Sequence, residues 1–459
     1  MRRRAFRLAA VAALVFGLLG SGSAATAAPA PILDASTLNG VPYRIEIPAN
    51  WNGTLALYSH GYVAPGSANP ASDAGDPFTR LYLLSQGYAL AGSAYRTTGW
   101  AVQDALIDQV VLLDYFTAHY GAPKRTIAWG HSLGGMITAG LIQQHPRRFS
   151  GALPMCGVLA GSVGVWNTAL DAAFAFKMLV APDSTLQLVH ITDPAANLRQ
   201  AEILLAAAQS TPQGRARIAL MSAVGDVPGW FDPLSPEPAT NDYAGREVNQ
   251  VQWHALVDFS FAFAFRAEME VRAGGNPSWN TGVDYRRQLR QSINRDEVEA
   301  LYAAAGLSLD DDLERLARAP RIAAQPDAVA YLTRNIVYDG EVDVPVLTMH
   351  TTGDGLVLNQ DEQAYARIFD ERSLLRQTFV NRAGHCTFTP AETVAAFNAL
   401  VRRLDTRQWS GISPAELNAA ATALGPAANL LPPAYLSFTP TRFPRPFSLD
   451  GHDGHAGQD

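Results

Sequence analysis

Apolar runs with the spacing of β-strands alternate with helical repeats in two separate blocks of the chain. The runs are short and rich in Val, Ile, Tyr and Thr, and the longer stretches repeat their apolar residues every three to four positions. Strands that alternate with helices form a mostly parallel sheet with helices on both faces. The predicted strands of the first block cover 42–47, 54–58, 88–95, 125–129 and 151–156, with helices at 101–120 and 132–145; the second block has strands at 344–350 and 377–381 and a helix at 391–404.

Residues 159–340, between the blocks, lack this alternation and are predicted to be almost wholly helical. Compact domains do not contain structureless loops of that length. The sequence therefore predicts a large helical cap domain inserted between two parts of an α/β core, 29–158 and 341–405. One cap helix carries five aromatic residues and forms either the core of the cap or an apolar wall that faces a substrate. The predicted cap helices are 167–180, 195–208, 212–223, 246–273, 294–305, 310–319 and 326–335.

Both ends of the chain depart from the composition of a folded domain. Residues 1–28 combine four arginines, a 13-residue apolar run and a small-x-small site at Ala25-Thr26-Ala27, the pattern of an export signal removed near Ala27. The apolar run is too short to span a bilayer, which takes about 20 residues. The general and the twin-arginine export routes both stay open. Residues 406–459 are predicted to form a helix, an extended Pro-rich surface strap from about residue 426 and a frayed tail.

Composition and charge exclude several classes of protein. Hydrophobic residues make up 48% and charged residues 17% of the 459, which is not the composition of a disordered or coiled-coil protein. The formal charge of −7 would become −11 without the signal, and no basic run follows it, so neither nucleic acid nor an anionic membrane is an expected partner. No other apolar stretch approaches the length of a membrane span. Two cysteines, and no metal or phosphate-binding motif, predict a protein without metal or cofactor.

Candidate chemistry begins at the pentapeptide Gly130-His131-Ser132-Leu133-Gly134, which matches the pattern G-x-S-x-G. It follows a predicted strand and opens a predicted helix, the context in which this pattern forms a nucleophile elbow. The turn is sharp, so a side chain at either flanking glycine would clash. Ser132 is then presented at the end of the strand and at the positive end of the helix, and it is the candidate nucleophile.

A serine nucleophile needs a base and an acid that orients the base, and the chain supplies both in the order expected after such an elbow. Asp354 lies in the loop at the end of strand 344–350, on the same rim of the sheet as Ser132. His385 lies in the loop that leaves strand 377–381. His350 precedes the acid within a strand, and His190 and His254 fall in the cap, so these histidines fit the role of base less well.

The oxyanion formed in acyl transfer needs backbone N–H donors that are already in place. One is the N–H of Leu133, the residue after the nucleophile. The other is expected from the loop Ser59-His60-Gly61-Tyr62, which follows strand 54–58. The N–H of Tyr62 is the first candidate, and that of Gly61 is the alternative.

These motifs together resemble a secreted serine hydrolase of the α/β-hydrolase superfamily. The resemblance rests on the His60-Gly61-Tyr62 loop, the elbow, the loop of Asp354 and the Gly384-His385 loop. It covers roughly residues 40–160 and 340–405, but neither the cap nor the C-terminal extension. A serine nucleophile speaks against the branches that use aspartate there, the epoxide hydrolases and haloalkane dehalogenases. The fold implied is an α/β-hydrolase core with an inserted cap.

The two cysteines lie at informative positions for an exported protein, in which a pair tends to be bonded. Cys156 ends the strand before the cap, and Cys386 follows the candidate base. Tannases and fungal feruloyl esterases are similar in bridging residues next to the catalytic Ser and His, although here the first Cys comes 24 residues after Ser132. A Cys156–Cys386 disulfide is one expectation, and two buried free thiols are the alternative.

Three functions follow from these residues. The first is a secreted carboxylic-ester hydrolase (a carboxylesterase or lipase-like enzyme) that acts on small-molecule or polymeric esters with an apolar or aromatic group. The second is a peptidase or amidase on the same machinery, for which Glu268, Glu270 or Asp284 of the cap could hold a peptide terminus. The third is a non-catalytic binding protein, which the ordered triad disfavours. Substrate identity and oligomeric state are not set by these patterns.

Overall fold

A computed structural model describes residues 30–449, so the predicted export signal and the last ten residues lie outside the described residues. One nine-stranded sheet runs through the molecule in the order β1-β2-β4-β3-β5-β6-β7-β8-β9. The strands are β1 (Ile32–Leu38), β2 (Val41–Ile47), β3 (Thr54–Ser59), β4 (Ala89–Ser93), β5 (Arg125–His131), β6 (Gly151–Met155), β7 (Val346–Gly353), β8 (Leu375–Ala383) and β9 (Tyr435–Leu436).

The six central strands, from β4 to β8 in the sheet order, pair in parallel, and antiparallel strands complete both edges. Helices cover both faces, as parallel crossovers require. This is the predicted mostly parallel sheet, and the fold is an α/β-hydrolase core. Its helices are α1 (Pro77–Ser85), α2 (Val102–Tyr120) and α3 (Leu133–Gln144) before the cap, and α13 (Gln360–Ile368), α14 (Pro390–Thr406) and α15 (Pro414–Thr422) after it.

The sequence pattern misses the edge strands and several short helices. β1 has the sequence Ile-Leu-Asp-Ala-Ser-Thr-Leu and is mostly exposed, so it lacks the apolar pattern from which a buried strand is predicted. All seven of its residues nevertheless pair with β2. β9 has only two residues. Helices α1 and α13 each have nine residues and fall where no helix was predicted, whereas the nine-residue α15 lies in the segment 406–426 where a helix was expected. These strands and helices are stabilised by contacts with neighbouring elements, and local sequence patterns do not reveal such contacts.

Between β6 and β7 the described chain is helical, as the sequence predicts for 159–340. The long predicted helix 246–273 is broken, because two π-helical turns, His254–Asp258 and Phe261–Phe265, separate α7 from α8. A short helix, α9, was not predicted. The helices of this cap are α4 (Gly161–Val180), α5 (Pro194–Gln209), α6 (Pro212–Val224), α7 (Tyr243–Trp253), α8 (Arg266–Ala273), α9 (Tyr285–Gln291), α10 (Arg295–Ala305), α11 (Leu309–Arg318) and α12 (Pro326–Arg334).

Helix α4 joins the cap to the core. Its first half packs into the core beside the sheet through Val163 and Trp166, and its second half packs into a separate apolar cluster inside the cap through Phe174 and Phe176. With 20 residues, α4 is long and apolar enough to cross a membrane, which the sequence analysis did not anticipate. Two thirds of its apolar window, 67%, is buried inside the protein, as expected of a core helix.

The Pro-rich C-terminal segment is extended, but it is more than a surface strap. β9 pairs with the edge of β8, and farther along Phe443 is buried to 1% exposure against the cap and the core. Arg445 forms a 2.6 Å ion pair with Asp171, a fully buried carboxylate of α4. The segment therefore ties the cap to the sheet from outside.

A disulfide joins Cys156, directly after β6, to Cys386 in the loop after β8, with the Cα atoms 5.4 Å apart. Of the two alternatives from the sequence, the bonded pair is the one present. The bond spans 230 residues of sequence and encloses the whole cap. Closing a loop of that length removes conformational entropy from the unfolded chain worth up to about 5 kcal/mol.

Replacing both cysteines by alanine should therefore lower the free energy of unfolding, by up to about 5 kcal/mol. Urea unfolding of wild type and of Cys156→Ala/Cys386→Ala measures the difference. Wild type unfolded in the presence of a reductant is the matched control and should unfold at the urea midpoint of the double variant. Equal stability of oxidised wild type and the double variant would contradict the prediction.

Candidate active site

Ser132 occupies a strained turn between β5 and α3. Its backbone has φ 59° and ψ −124°, a conformation that side-chain-bearing residues rarely adopt. The turn passes so close to β3 that a Cβ on Gly134 would lie 1.9 Å from the carbonyl oxygen of Ser59, and one on Gly130 would lie 2.4 Å from the same oxygen. Only glycine fits at either position, as the pattern predicts.

The structure brings together the three predicted residues Ser132, His385 and Asp354. The Ser132 Oγ lies 2.7 Å from His385 Nε2, and His385 Nδ1 lies 2.7 Å from Asp354 Oδ2. With Nδ1–H donating to the carboxylate, Nε2 is free to accept the serine proton. The arrangement fits a nucleophile, a general base and an orienting acid. His385 is 19% exposed and Asp354 is fully buried, so the base faces the substrate side and the acid does not.

The buried carboxylate of Asp354 is surrounded by donors. Its Oδ1 accepts hydrogen bonds from the backbone N–H groups of Leu356 and Val357, at 3.1 and 3.0 Å. Burial alone would raise the pKa of Asp354, but His385 and His350 outweigh that effect and hold the pKa below its ordinary value. The acid therefore stays ionised although it is fully buried.

His350 extends this chain of charges away from the serine. Its Nδ1 lies 3.3 Å from Glu362 Oε1, while its Nε2 lies 2.9 Å from the carbonyl oxygen of Val357 and 3.6 Å from Asp354 Oδ2. Both ring nitrogens thus face acceptors only, so both carry a proton and the ring is an imidazolium. Burial would lower the pKa of His350, but Asp354 and Glu362 raise it to about 10. His350 was rejected as the base from the sequence, and in the structure it lies between Asp354 and Glu362.

The two predicted oxyanion donors both lie at the nucleophile. Leu133 and Tyr62 line the same cavity as Ser132. Within residues 30–449, neither of their backbone N–H groups has a hydrogen-bond partner, nor does that of Gly61. A Cβ on Gly61 would lie 3.3 Å from the Ser132 Cβ, so the loop runs directly over the serine. The backbone N–H groups of Tyr62 and Gly61 therefore both remain candidates for the second oxyanion donor.

An apolar cavity opens above Ser132, between the core and the cap. The aromatic residues of the broken helix form both the core of the cap and an apolar wall of the cavity, the two roles predicted for them. Phe259 and Phe263 are buried in the cap core, while Phe261 packs on Tyr62 with 4.9 Å between the ring centroids. All three also line the cavity. Other apolar residues of the lining include Trp100, Leu133, Val158, Val165, Trp166, Met221, Val227, Leu356, Val357, Leu358 and Phe443.

Two polar residues of the cavity were not assigned to it from the sequence: His254 was placed in the cap without a role, and Asp258 was not singled out. They lie four residues apart on a π-helical turn, with His254 Nδ1 3.1 Å from Asp258 Oδ2. The i, i+4 spacing of a histidine and an aspartate within an aromatic helix was the available signal. Among residues 30–449 no group of three or more His, Cys, Asp or Glu side chains is arranged to hold a metal ion.

The protonation of His350 can be tested directly in the wild-type protein. With a pKa of about 10, against about 6.5 in the unfolded chain, one histidine should keep both ring nitrogens protonated at pH 8.5. Long-range proton–nitrogen correlation spectra of histidine-labelled protein should show this signal, and His350→Gln should remove it while His119→Gln, at an exposed position, should not. A spectrum with only neutral histidines at that pH would overturn the assignment.

The same shift predicts how stability depends on pH. Because the folded-state pKa is raised, the contribution of His350 is complete below about pH 6.5 and is lost as the pH rises through about 10. The difference in melting temperature between wild type and His350→Gln should therefore be largest below neutral pH and shrink towards pH 10. A difference that grows with pH would contradict this sign.

Comparison with known proteins identifies the family of the chain. The model of the prolyl oligopeptidase family matches residues 85–179. The chain is 30% identical over 419 residues to o-phthalyl amidase from Xanthobacter agilis, covering 84% of this chain and 90% of that one. Solved structures with similarity include an esterase from Aspergillus oryzae (15% identity, 82% and 80% of the two chains, TM-score 0.39) and a serine hydrolase from Cycloclasticus zankles (14%, 82% and 98%, TM-score 0.36). The chain therefore belongs to the family of o-phthalyl amidase and is a serine hydrolase of the α/β-hydrolase superfamily.

Proposed function

We propose that the protein hydrolyses carboxylic-acid derivatives with an apolar or aromatic group through an acyl-enzyme on Ser132. The observation that carries the proposal is the hydrogen-bonded chain from Asp354 through His385 to Ser132, together with the apolar cavity that Ser132 lines. Esters are the substrates that this geometry supports first, because an alkoxide or phenolate leaves the tetrahedral intermediate readily.

The steps follow from the positions of the protons. The Ser132 Oγ attacks the substrate carbonyl while His385 Nε2 takes its proton, and the oxyanion is held by the N–H of Leu133 and that of Tyr62 or Gly61. The imidazolium returns the proton to the leaving group as the bond from the carbonyl carbon breaks. Water then attacks the acyl-enzyme, giving a proton to His385, and the acid leaves as the proton returns to Ser132.

Amides of an aromatic acid are a second candidate, favoured by the similarity to o-phthalyl amidase. A peptidase that grips a charged peptide terminus has less support, because the three cap acids considered for that role are used elsewhere. Glu268 accepts from the Trp100 N–H and binds Arg272, Glu270 accepts from the His190 N–H, and Asp284 caps helix α9. They are also absent from the residues that line the cavity of Ser132 within the described chain.

We further propose that the protein acts outside the cytoplasm. The N-terminal 28 residues have the pattern of an export signal, and the Cys156–Cys386 disulfide forms and persists in an oxidising compartment. Secretion would give the enzyme access to esters or amides in the surroundings of the cell.

Active-site titration with a fluorophosphonate tests the nucleophile. One equivalent should label the mature wild-type protein, and Ser132→Ala should not be labelled because, within residues 30–449, no other hydroxyl is hydrogen-bonded to His385. Asp354→Asn should keep the fold but reduce the labelling rate about 10⁴-fold, since it holds the imidazole in the wrong tautomer. A folded wild-type protein that is not labelled would overturn the proposal.

Substrate choice is measured next, with 4-nitrophenyl benzoate and benzoyl 4-nitroanilide as a pair that shares one acyl group. Hydrolysis of the ester alone supports an esterase, and comparable kcat/KM for both supports the amidase candidate. Aminoacyl anilides that are cleaved faster than the benzoyl anilide would instead favour an exopeptidase.

A further inference from the structure

One wall of the cavity above Ser132 comes from the C-terminal segment. Phe443 lines this cavity together with residues of the core and of the cap, and it is the one lining residue that follows α13 in the described chain. Its side chain is buried, so the ring packs inside the protein and not on the outer surface. The segment predicted as a Pro-rich surface strap therefore reaches the site of the chemistry.

The backbone on either side of Phe443 is anchored to both parts of the protein. The N–H of Phe443 donates to Gln363 Oε1 of the core helix α13 at 3.1 Å. Two residues farther on, Arg445 forms its 2.6 Å ion pair with Asp171 of the cap helix α4. Pro444, between the two anchors, has a fixed φ, which reduces the conformational freedom of the segment. The ring of Phe443 therefore has a defined position in the cavity wall.

Close packing leaves the ring of Phe443 little room to withdraw. It packs with Ala160 and Leu358, and Val165 of α4 lies against this cluster. A Cβ on Gly164 would lie 3.3 Å from Phe443 Cε1, so the backbone of α4 approaches the ring closely. Leu358 and Val165 line the cavity as well. The ring therefore forms a continuous apolar wall with these two side chains.

The cavity behind this wall has room for a small apolar group. Its volume is about 140 Å³. An apolar cavity of about 150 Å³ binds one benzene molecule. A single six-membered ring, or a chain of about six carbons, therefore matches the available space, whereas a fused pair of rings or a long acyl chain exceeds it.

We propose that Phe443 determines substrate specificity by limiting the size of the apolar group that the enzyme accepts. The inference rests on the proposed function and names its substrate class: esters or amides whose apolar group is a single ring or a short chain. A larger group displaces either the Phe443 ring, against its packing and its anchors, or its own carbonyl carbon from Ser132. Either displacement lowers kcat/KM.

The experiment measures kcat/KM for 4-nitrophenyl esters that differ in the acid: a straight-chain series from acetate to octanoate, then benzoate and 2-naphthoate. A second series, the acetates of the matching alcohols and phenols, places the same groups on the other side of the carbonyl. In at least one series, kcat/KM of wild type should fall about tenfold or more beyond about six carbons, and the single ring should be preferred over the fused rings by a similar factor.

Phe443→Ala removes the ring, so it should extend the limit of the chain series by about two carbons or more and lower the preference for the single ring about tenfold. Phe443→Leu, which disturbs the packing less, should shift both in the same direction by a smaller amount. The matched control is Phe447→Ala. Phe447 belongs to the same segment but packs on Trp279, with 5.8 Å between the ring centroids, and does not line the cavity of the described chain, so both limits should stay as in wild type.

Fluorophosphonate labelling separates this inference from the proposed function. Rates are divided by the concentration of labelled sites, so partial unfolding of a variant does not distort the comparison. A wild-type protein that is not labelled contradicts the proposed function, and the inference falls with it. Where wild type is labelled, the size profiles decide on Phe443 alone.

Three outcomes would overturn the inference while labelling stays intact. The first is a wild-type profile without a size limit in both series, which needs no variant and so does not depend on how well Phe443→Ala folds. The second is a limit that is unchanged in Phe443→Ala and Phe443→Leu, which would place the limiting residue elsewhere in the cavity. The third is an equal shift in Phe447→Ala, which would show that loosening of the segment, and not loss of the Phe443 ring, changes the limit.

Discussion

A serine held at positive φ is the constraint on which the rest of this structure depends. Such a backbone costs on the order of 1–3 kcal/mol and persists only where its surroundings leave no alternative. Here the alternative is removed by close packing, because Gly130 and Gly134 bring the turn against the carbonyl of Ser59. The same approach sets the loop of Gly61 over the serine. The close packing of the two glycines on β3 therefore fixes both the backbone of the serine and the position of the loop that carries an oxyanion donor.

A second constraint is electrostatic. An ionised Asp354 that is fully buried is expensive unless opposite charge and hydrogen bonds surround it. The protein supplies backbone N–H donors on one oxygen and places the His350 imidazolium beside the other, with Glu362 behind it. Charges of alternating sign thus run from Glu362 through His350 to Asp354, which accepts a hydrogen bond from the His385 ring. An arrangement of this kind fixes the direction of each ring, because each nitrogen has only one acceptor it can satisfy well.

Much of the core and of the site can be predicted from the sequence, for a physical reason that also explains the failures. The elbow and the loops of Asp354 and His385 follow buried strands whose apolar runs are visible, so their rim of the sheet can be deduced. β1 is mostly exposed and β9 has two residues, so neither leaves such a pattern. The π-helical turns shift the register of one apolar helix by less than a full turn, which periodicity does not resolve. For that reason His254 was placed in the cap without a role, and Asp258 was not singled out.

The cap explains why the chemistry of this protein is easier to predict than its substrate. The triad is built entirely from core loops, but the space above it is shaped by cap side chains that meet those loops directly. A Cβ on Gly355, next to Asp354, would lie 2.4 Å from the ring of Trp253, and Tyr62 packs on Phe261. The C-terminal segment holds the cap in that position from a further side, through Arg445 and Phe443. Reaction type therefore follows from motifs that are local in sequence, whereas specificity follows from contacts between segments more than a hundred residues apart, such as that of Phe443 with the cavity of Ser132.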